Sequence, residues 1–360
     1  MARNACSRKG GIELTPDEIQ SLIGKLDSAD MIGFTRGFVD DFESALKSDI
    51  GLDGDDDWSG VLCIGMGGSG AGGRFLSTLA DSEGGLPFVI WNDYGLPSWW
   101  GPDWLVIATS YSGETEETLD GATKAIENGG TVIGISSGGR LSDILGGNDD
   151  SVCIDIPGGQ TPRSAFGHIF GTQLSVCWRL GLLPSFPEGE IESMIKRLRT
   201  ASSSYDLIGG DGMPINLAST ISGKGVGIVS PGEMGPAAYR FSCQLNENSN
   251  SFARSAEVPE MNHNEIVPWM SANADSHALV LLTCDGINPR AKSRIDWMME
   301  NVEGPVVWRI DCEGESLLER LLYAAHVSDW ISIALALIKG VDPSEMDAIS
   351  GLKAHLSVIQ

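Results

Sequence analysis

The chain is short of positive charge. Lysine and arginine number 24 against 49 aspartates and glutamates, a formal charge of −25 over 360 residues. That balance argues against nucleic acid and anionic membranes as partners, since both are held by basic surfaces. It also sets a difficulty for any anionic substrate, which so acidic a protein repels at long range. Salt removes the difficulty, because the Debye length falls to roughly 3 Å at about 1 M. A salt-adapted host is therefore expected, and activity indifferent to KCl up to molar concentration would count against it. The seven cysteines are scattered from Cys6 to Cys312 with no C-x-x-C pair, which reads as reduced thiols in a cytoplasm. The opening residues, MARNACSRKGGIEL, have no apolar signal core. The most apolar late stretch, Trp330–Val341, is too short to span a bilayer and carries Lys339.

What is present describes a globular chain long enough for two domains, 42% hydrophobic and 20% charged. Its organising stretch is Trp104–Asp120, WLVIATSYSGETEETLD. Trp104–Thr109 is a branched, apolar run that reads as a buried parallel strand. Glu116 onward reads as a helix, with acids in its first turn and Leu119, Ala122 and Ile126 on one face. Between them, Ser110, Ser112 and Thr115 crowd around Gly113. A tight turn at the carboxyl end of a strand, followed by helix N–H groups that lack intrahelical partners, makes a cup of donors for a phosphate. No lysine sits in the loop, so it is not a G-x-x-x-x-G-K-[ST] nucleotide loop. The plainer alternative is a Ser/Thr-rich turn capping a helix.

Strands and helices alternate around this stretch. Thr15–Leu46 reads as helical, with Thr15 and Glu18 as a capping box and Pro16 at the first helical position. The acidic run Asp53–Asp57 reads as a solvated loop. Val61–Ile64, Pro87–Trp91, Leu105–Thr109, Thr131–Ile135 and Val152–Ile156 read as strands, with a helix from about Gly70 and another over Ala165–Leu180. Such alternation implies a parallel, doubly wound sheet. Pro184–Pro187 is a break, and a polar helix, Glu188–Ser203, leads into a second alternating set. There, strands are expected at Gly225–Ser230, Ala278–Leu282 and Pro305–Ile310. Helices are expected at Pro236–Leu245, Pro289–Asn301, Ser316–Leu337 (interruptible near Ser328) and Pro343–Gln360. The organisation expected is α/β: an N-terminal helical segment and acidic loop over 1–57, then two similar units over 58–187 and 188–360.

Gly65-Met66-Gly67-Gly68-Ser69-Gly70 matches G-x-G-x-x-G after a strand, and Asp93 stands where a ribose-binding acid would. An NAD-dependent enzyme is thus one alternative. The serine-rich loop does not belong to that pattern; it fits a single phosphate held between two strand ends.

GMGGS followed by SYSGETEET resembles a sugar isomerase (SIS) domain. Thr161-Pro162-Arg163-Ser164-Ala165-Phe166-Gly167, Gln244-Leu245-Asn246-Glu247-Asn248 and Pro259-Glu260-Met261-Asn262-His263-Asn264-Glu265 narrow the resemblance to the bifunctional phosphoglucose/phosphomannose isomerases, from about residue 60 to the end. The resemblance implies two SIS subdomains, each a doubly wound parallel sheet flanked by helices. It further implies a homodimer and no metal or cofactor. Two departures stand out. The family usually has Asn where this chain has Glu114, which is tolerable if the side chain points to water. After N-E-N the family usually has Ala-Lys, where this chain has Ser249-Asn250.

The residues also fit the chemistry. Moving a carbonyl between C1 and C2 of a sugar phosphate needs one base that carries a proton between two carbons. A carboxylate whose pKa is raised by partial burial suits this. Glu247, between two asparagines after a helix, is the choice, although N-E-N alone would read as a surface acid at a helix end. Ring opening of a closed pyranose needs an acid–base group. His263, in an asparagine-rich, proline-bounded loop, is the candidate, and the resemblance suggests that the neighbouring subunit supplies it. Arg163 is placed to stabilise enediolate oxygens as a fixed cation, the alternative being a loop salt bridge. Lys353 resembles the family's C-terminal active-site lysine, against the alternative of a solvated helix lysine. Gly68 and Ser69 join Ser110, Ser112 and Thr115 at the phosphate. Three or four charged hydrogen bonds there supply on the order of 5–10 kcal/mol gross. Less the cost of association, this fits micromolar-to-millimolar binding. A non-catalytic SIS sugar-phosphate regulator is the other alternative, but such a sensor has no use for Glu247 and His263. A glucosamine-6-phosphate synthase half would need a glutaminase domain, for which the residues before 60 leave no room.

Overall fold

The computed structural model describes residues 14–52, 54, 57–273 and 275–358. Residues 1–13, with Cys6, and most of the acidic run at 53–57 lie outside the described residues. Two helices open the chain, α1 (Pro16–Leu26) and α2 (Met31–Lys47). The sequence suggested one. They are separated because the Asp27 carboxylate accepts the N–H groups of Met31 and Ile32 at 2.7 and 3.0 Å, and Asp30 turns to φ 58. The capping box at Thr15 and Glu18 forms as read.

The chain then alternates: β1 (Gly60–Gly65), α3 (Gly67–Glu83), β2 (Phe88–Trp91), β3 (Trp104–Thr109), α4 (Glu116–Glu127), β4 (Val132–Ser136), α5 (Arg140–Gly146), β5 (Val152–Asp155), α6 (Phe166–Arg179) and α7 (Glu188–Tyr205). All five strands are parallel, in the order β2-β1-β3-β4-β5. β3 is central and buried from Leu105 to Thr109, as its unbroken apolar run requires. Leu62, Val106 and Ala108 on one face pack with Leu119, Ala122 and Leu141 of α4 and α5. Phe75, Phe166 and Phe170, with ring centroids 5.1–5.4 Å apart, form an aromatic layer with Phe42. These elements make one compact unit, Arg36–Arg199 with Gly314–Leu321.

The other unit takes in the residues up to Thr35, Thr200–Glu313 and the residues from Leu322 on. It continues with α8 (Met213–Ile221), β6 (Gly225–Pro231), α9 (Gly235–Ser249), β7 (Ala253–Val258), α10 (Ile266–Ser271), β8 (His277–Cys284), α11 (Pro289–Asn301), β9 (Val306–Cys312), α12 (Leu317–Lys339) and α13 (Asp347–Leu356). Its sheet, β7-β6-β8-β9, is again parallel. β7 was not legible in the sequence: it is an edge strand whose middle residues are only partly buried. α9 runs four residues past Leu245, so Asn246-Glu247-Asn248 form its last turn rather than a loop after it. α12 is unbroken at Ser328, whose hydroxyl bonds back to the Ala325 carbonyl at 2.7 Å. At 23 residues α12 is long enough to cross a membrane, yet 89% of its most apolar window is buried inside the protein.

Candidate active site

The order β2-β1-β3 means that chain direction around the sheet reverses between β1 and β3. This is the switch point at whose carboxyl edge open α/β sheets hold ligands. Gly65 lies opposite Thr109 there, so the loops leaving the two strands are neighbours. The Ser69 hydroxyl, at the start of α3, accepts the Tyr111 N–H at 3.0 Å. The Ser110 and Thr115 hydroxyls are 2.9 Å apart, and the Thr115 N–H donates to Ser110 Oγ at 3.3 Å. Ser112 is exposed, and its Oγ accepts the Glu114 N–H at 3.3 Å. Thr115 is the N-cap of α4 but makes no side-chain capping bond. Ser69 in the first turn of α3, and Ser110, Ser112 and Thr115 in the loop leading into α4, thus lie at the adjoining carboxyl ends of β1 and β3.

Two glycines make this packing possible. Gly113 holds φ 69, and a Cβ there would lie 1.8 Å from the Gly138 carbonyl oxygen. A Cβ on Gly68 would lie 2.9 Å from the Arg163 backbone nitrogen, so the Gly68 and Arg163 loops meet backbone to backbone. Arg163 itself is buried, 2% exposed. Tyr111 ties the same loops together: its hydroxyl donates to the Pro157 carbonyl and accepts the Gln160 N–H, both at 3.0 Å. Glu114 is exposed, and it pairs at the surface with Arg140, which is exposed as well. Its carboxylate accepts the Arg140 backbone N–H at 2.9 Å and Nε–H at 2.7 Å. Those bonds hold its carboxyl below the usual carboxylate range. Asp93, which a dinucleotide reading would assign to a ribose, accepts the N–H of its own neighbour Tyr94 at 2.8 Å.

In the other unit, Glu247 is half-buried in the last turn of α9. That helix is fixed along one face by buried polar groups. Arg240 and Gln244 both bond Asp329 of α12, and Asn248 donates to Ser332 at 2.8 Å. Asn246 pairs with both backbone groups of Ala253 at the start of β7, at 2.8 and 3.1 Å. Asn250 closes the helix in the left-handed region, φ 47. The Lys339 ammonium reaches the Ser249 and Asn250 carbonyls at 2.7 and 2.8 Å, a cation at a helix carboxyl end. His263 is exposed and ends a 3-10 turn, Glu260–His263, just beyond β7. Lys353 is exposed on α13. Tyr111, Arg140 and Lys339 were given no role from the sequence, because their partners lie tens of residues away.

Residues 213–356 match the family model described as the bacterial phospho-glucose isomerase C-terminal SIS domain. The bifunctional phosphoglucose/phosphomannose isomerase of Thermoplasma acidophilum is 32% identical over 317 residues, 87% of this chain and 95% of that one. The enzyme of the same name from Aquifex aeolicus is 32% identical over 303 residues, 83% of this chain and 91% of that one. A hypothetical protein of known structure from Thermus thermophilus is 14% identical, covers 95% of this chain and 93% of its own, and superposes with a TM-score of 0.72. The paired parallel sheets, the serine loop at the switch point and these alignments over nearly the whole chain agree: the chain belongs to the bifunctional phosphoglucose/phosphomannose isomerase family.

Proposed function

We propose that this protein interconverts glucose 6-phosphate and mannose 6-phosphate with fructose 6-phosphate through a cis-enediol. The observation that carries the reading is the cup of four hydroxyls, joined by the Ser69–Tyr111 bond, at the sheet's switch point. It offers fixed donors to a terminal phosphate and leaves the sugar carbons to other groups. His263 opens the pyranose by moving a proton between the C1 hydroxyl and the ring oxygen. Glu247 removes the C2 proton of the aldose, and the C1 carbonyl oxygen gains a proton as the enediol forms. The same carboxylate returns its proton to C1, and loss of the O2 proton leaves the ketose. Arg163 offsets the charge that develops on the enediolate oxygens, and Lys353 assists at the substrate.

Glucose and mannose differ only at C2, and that difference vanishes in the planar enediol. Return of the proton to one face or the other then gives either aldose. The working form is taken to be a homodimer in which His263 comes from the neighbouring copy. A coupled assay tests the activity directly: fructose 6-phosphate supplied, with glucose 6-phosphate and mannose 6-phosphate each detected, in the presence of EDTA. Production of both aldoses is expected; binding of fructose 6-phosphate without turnover would instead support a sensor.

A further inference from the structure

We propose that Arg140 and Glu114 form a charge pair that sets the affinity of the serine loop for anions, Arg140 cancelling a carboxylate that otherwise repels the substrate phosphate. The inference rests on the reading of Ser69, Ser110, Ser112 and Thr115 as a phosphate cup. Glu114 lies between two cup residues, and its own N–H bonds one of them, Ser112. An ionised acid at that point opposes a dianion a few residues away. Arg140 answers it twice, through its backbone N–H and through Nε–H, at 2.9 and 2.7 Å.

The pairing is built into the backbone. Leu141 N–H donates to the Gly113 carbonyl at 3.1 Å, and Ser137 N–H to the Tyr111 carbonyl at 3.0 Å. A Cβ on Gly139 would lie 2.5 Å from the Ser112 carbonyl oxygen and 2.9 Å from Glu114 Oε1. The loop after β4 therefore seats against the cup and delivers Arg140 to Glu114. Glu116 and Glu117, in the first turn of α4, add further negative charge to the same region. Arg140 is thus a positioning and charge-compensating residue. It acts on the substrate through Glu114.

The test is inhibition by inorganic phosphate, and KM for fructose 6-phosphate, in the full-length enzyme carrying R140A, E114Q, or both. R140A is expected to raise both constants by roughly three- to tenfold in about 50 mM salt, the size of one uncompensated charge near an anion. Adding E114Q is expected to bring both back to within about twofold of the parent, since it removes the repulsion. The R140A defect should also shrink in about 1 M KCl, where the Debye length is roughly 3 Å. R140K, which keeps the charge, should lie near the parent and controls for folding. A defect that E114Q does not relieve, or that salt does not screen, would overturn the inference and make Arg140 a direct anion ligand or a structural prop. Replacing Ser110, Ser112 and Thr115 together by alanine separates the two levels. If that variant keeps normal phosphate inhibition, the cup reading fails and the pair fails with it; if it loses inhibition while R140A is normal, only the pair fails.

Discussion

Glu247 and His263 stand at opposite ends of β7. Asn246, beside Glu247, pairs with Ala253 at the start of that strand, and the turn that ends in His263 begins just after Val258 at its finish. Six residues of strand span about 20 Å at ~3.3 Å each. A separation of that size along one strand favours drawing the proposed acid–base pair from two copies, as in the dimer proposed above.

That arrangement is checked by complementation. Glu247→Gln and His263→Ala proteins should each be inactive alone on closed-ring substrate. Mixed after dissociation and reassociation, they should regain activity, because a hybrid dimer contains one site with both groups intact. Hybrids that form and stay inactive would place both residues in the same copy's site.

Phosphate anchoring by the proposed cup should show mainly as a binding effect. Ser110→Ala, Ser112→Ala and Thr115→Ala are each expected to raise KM, with partial loss of kcat, because the anchor also positions C1 and C2. A hydrogen bond to a charged group is worth roughly 1.5–3 kcal/mol, or about ten- to a hundredfold in KM if wholly lost. Steady-state kinetics with fructose 6-phosphate checks this, and unchanged constants in the triple variant would sink the cup.

His326 makes stability depend on pH. Burial, and then the Arg240 charge, push its pKa from 6.5 down to about 3. Its Nε2 accepts from Trp330 Nε1–H at 3.3 Å and lies 2.7 Å from the Ser202 hydroxyl. The folded protein therefore refuses a proton that the unfolded chain accepts. This contribution is complete above pH 6.5 and is lost as pH falls toward 3, by about 1.4 kcal/mol per pH unit. His326→Gln should be less stable than the parent at neutral pH, with the gap narrowing from pH 6.5 to 4 in urea unfolding. A gap independent of pH would show that His326 is not excluded from protonation.

The sheet around β3 was legible because its signals are local. A six-residue branched run, a turn crowded with hydroxyls and acids in the next helical turn all lie within Trp104–Asp120. The last turn of α9 was not legible. Asn248 looks like a loop residue until Ser332, 84 positions away, accepts its hydrogen bond, and Asn250 closes the helix together with the distant Lys339 ammonium. β7 escaped notice because an edge strand needs no apolar run: Arg254 is exposed, Ser255 and Ala256 are half-buried, and Glu257 is exposed. Of the hydroxyls proposed as a cup, Ser110, Ser112 and Thr115 are neighbours in sequence, so spacing was enough to name them. That Tyr111 joins them to the Arg163 loop, and that Arg140 answers Glu114, depends on contacts across the sheet's carboxyl edge that spacing does not encode.

The most direct measurement follows protons at carbon. Fructose 6-phosphate is incubated in deuterated water with the parent enzyme and with Glu247→Gln, and label at C1 of the ketose and C2 of both aldoses is read by NMR. One carboxylate serving one enediol predicts label at all these positions with the parent, and loss of exchange and of both isomerase activities together in the variant. Retention of either glucose 6-phosphate or mannose 6-phosphate formation by Glu247→Gln, with label still entering C2, would contradict the single-base account.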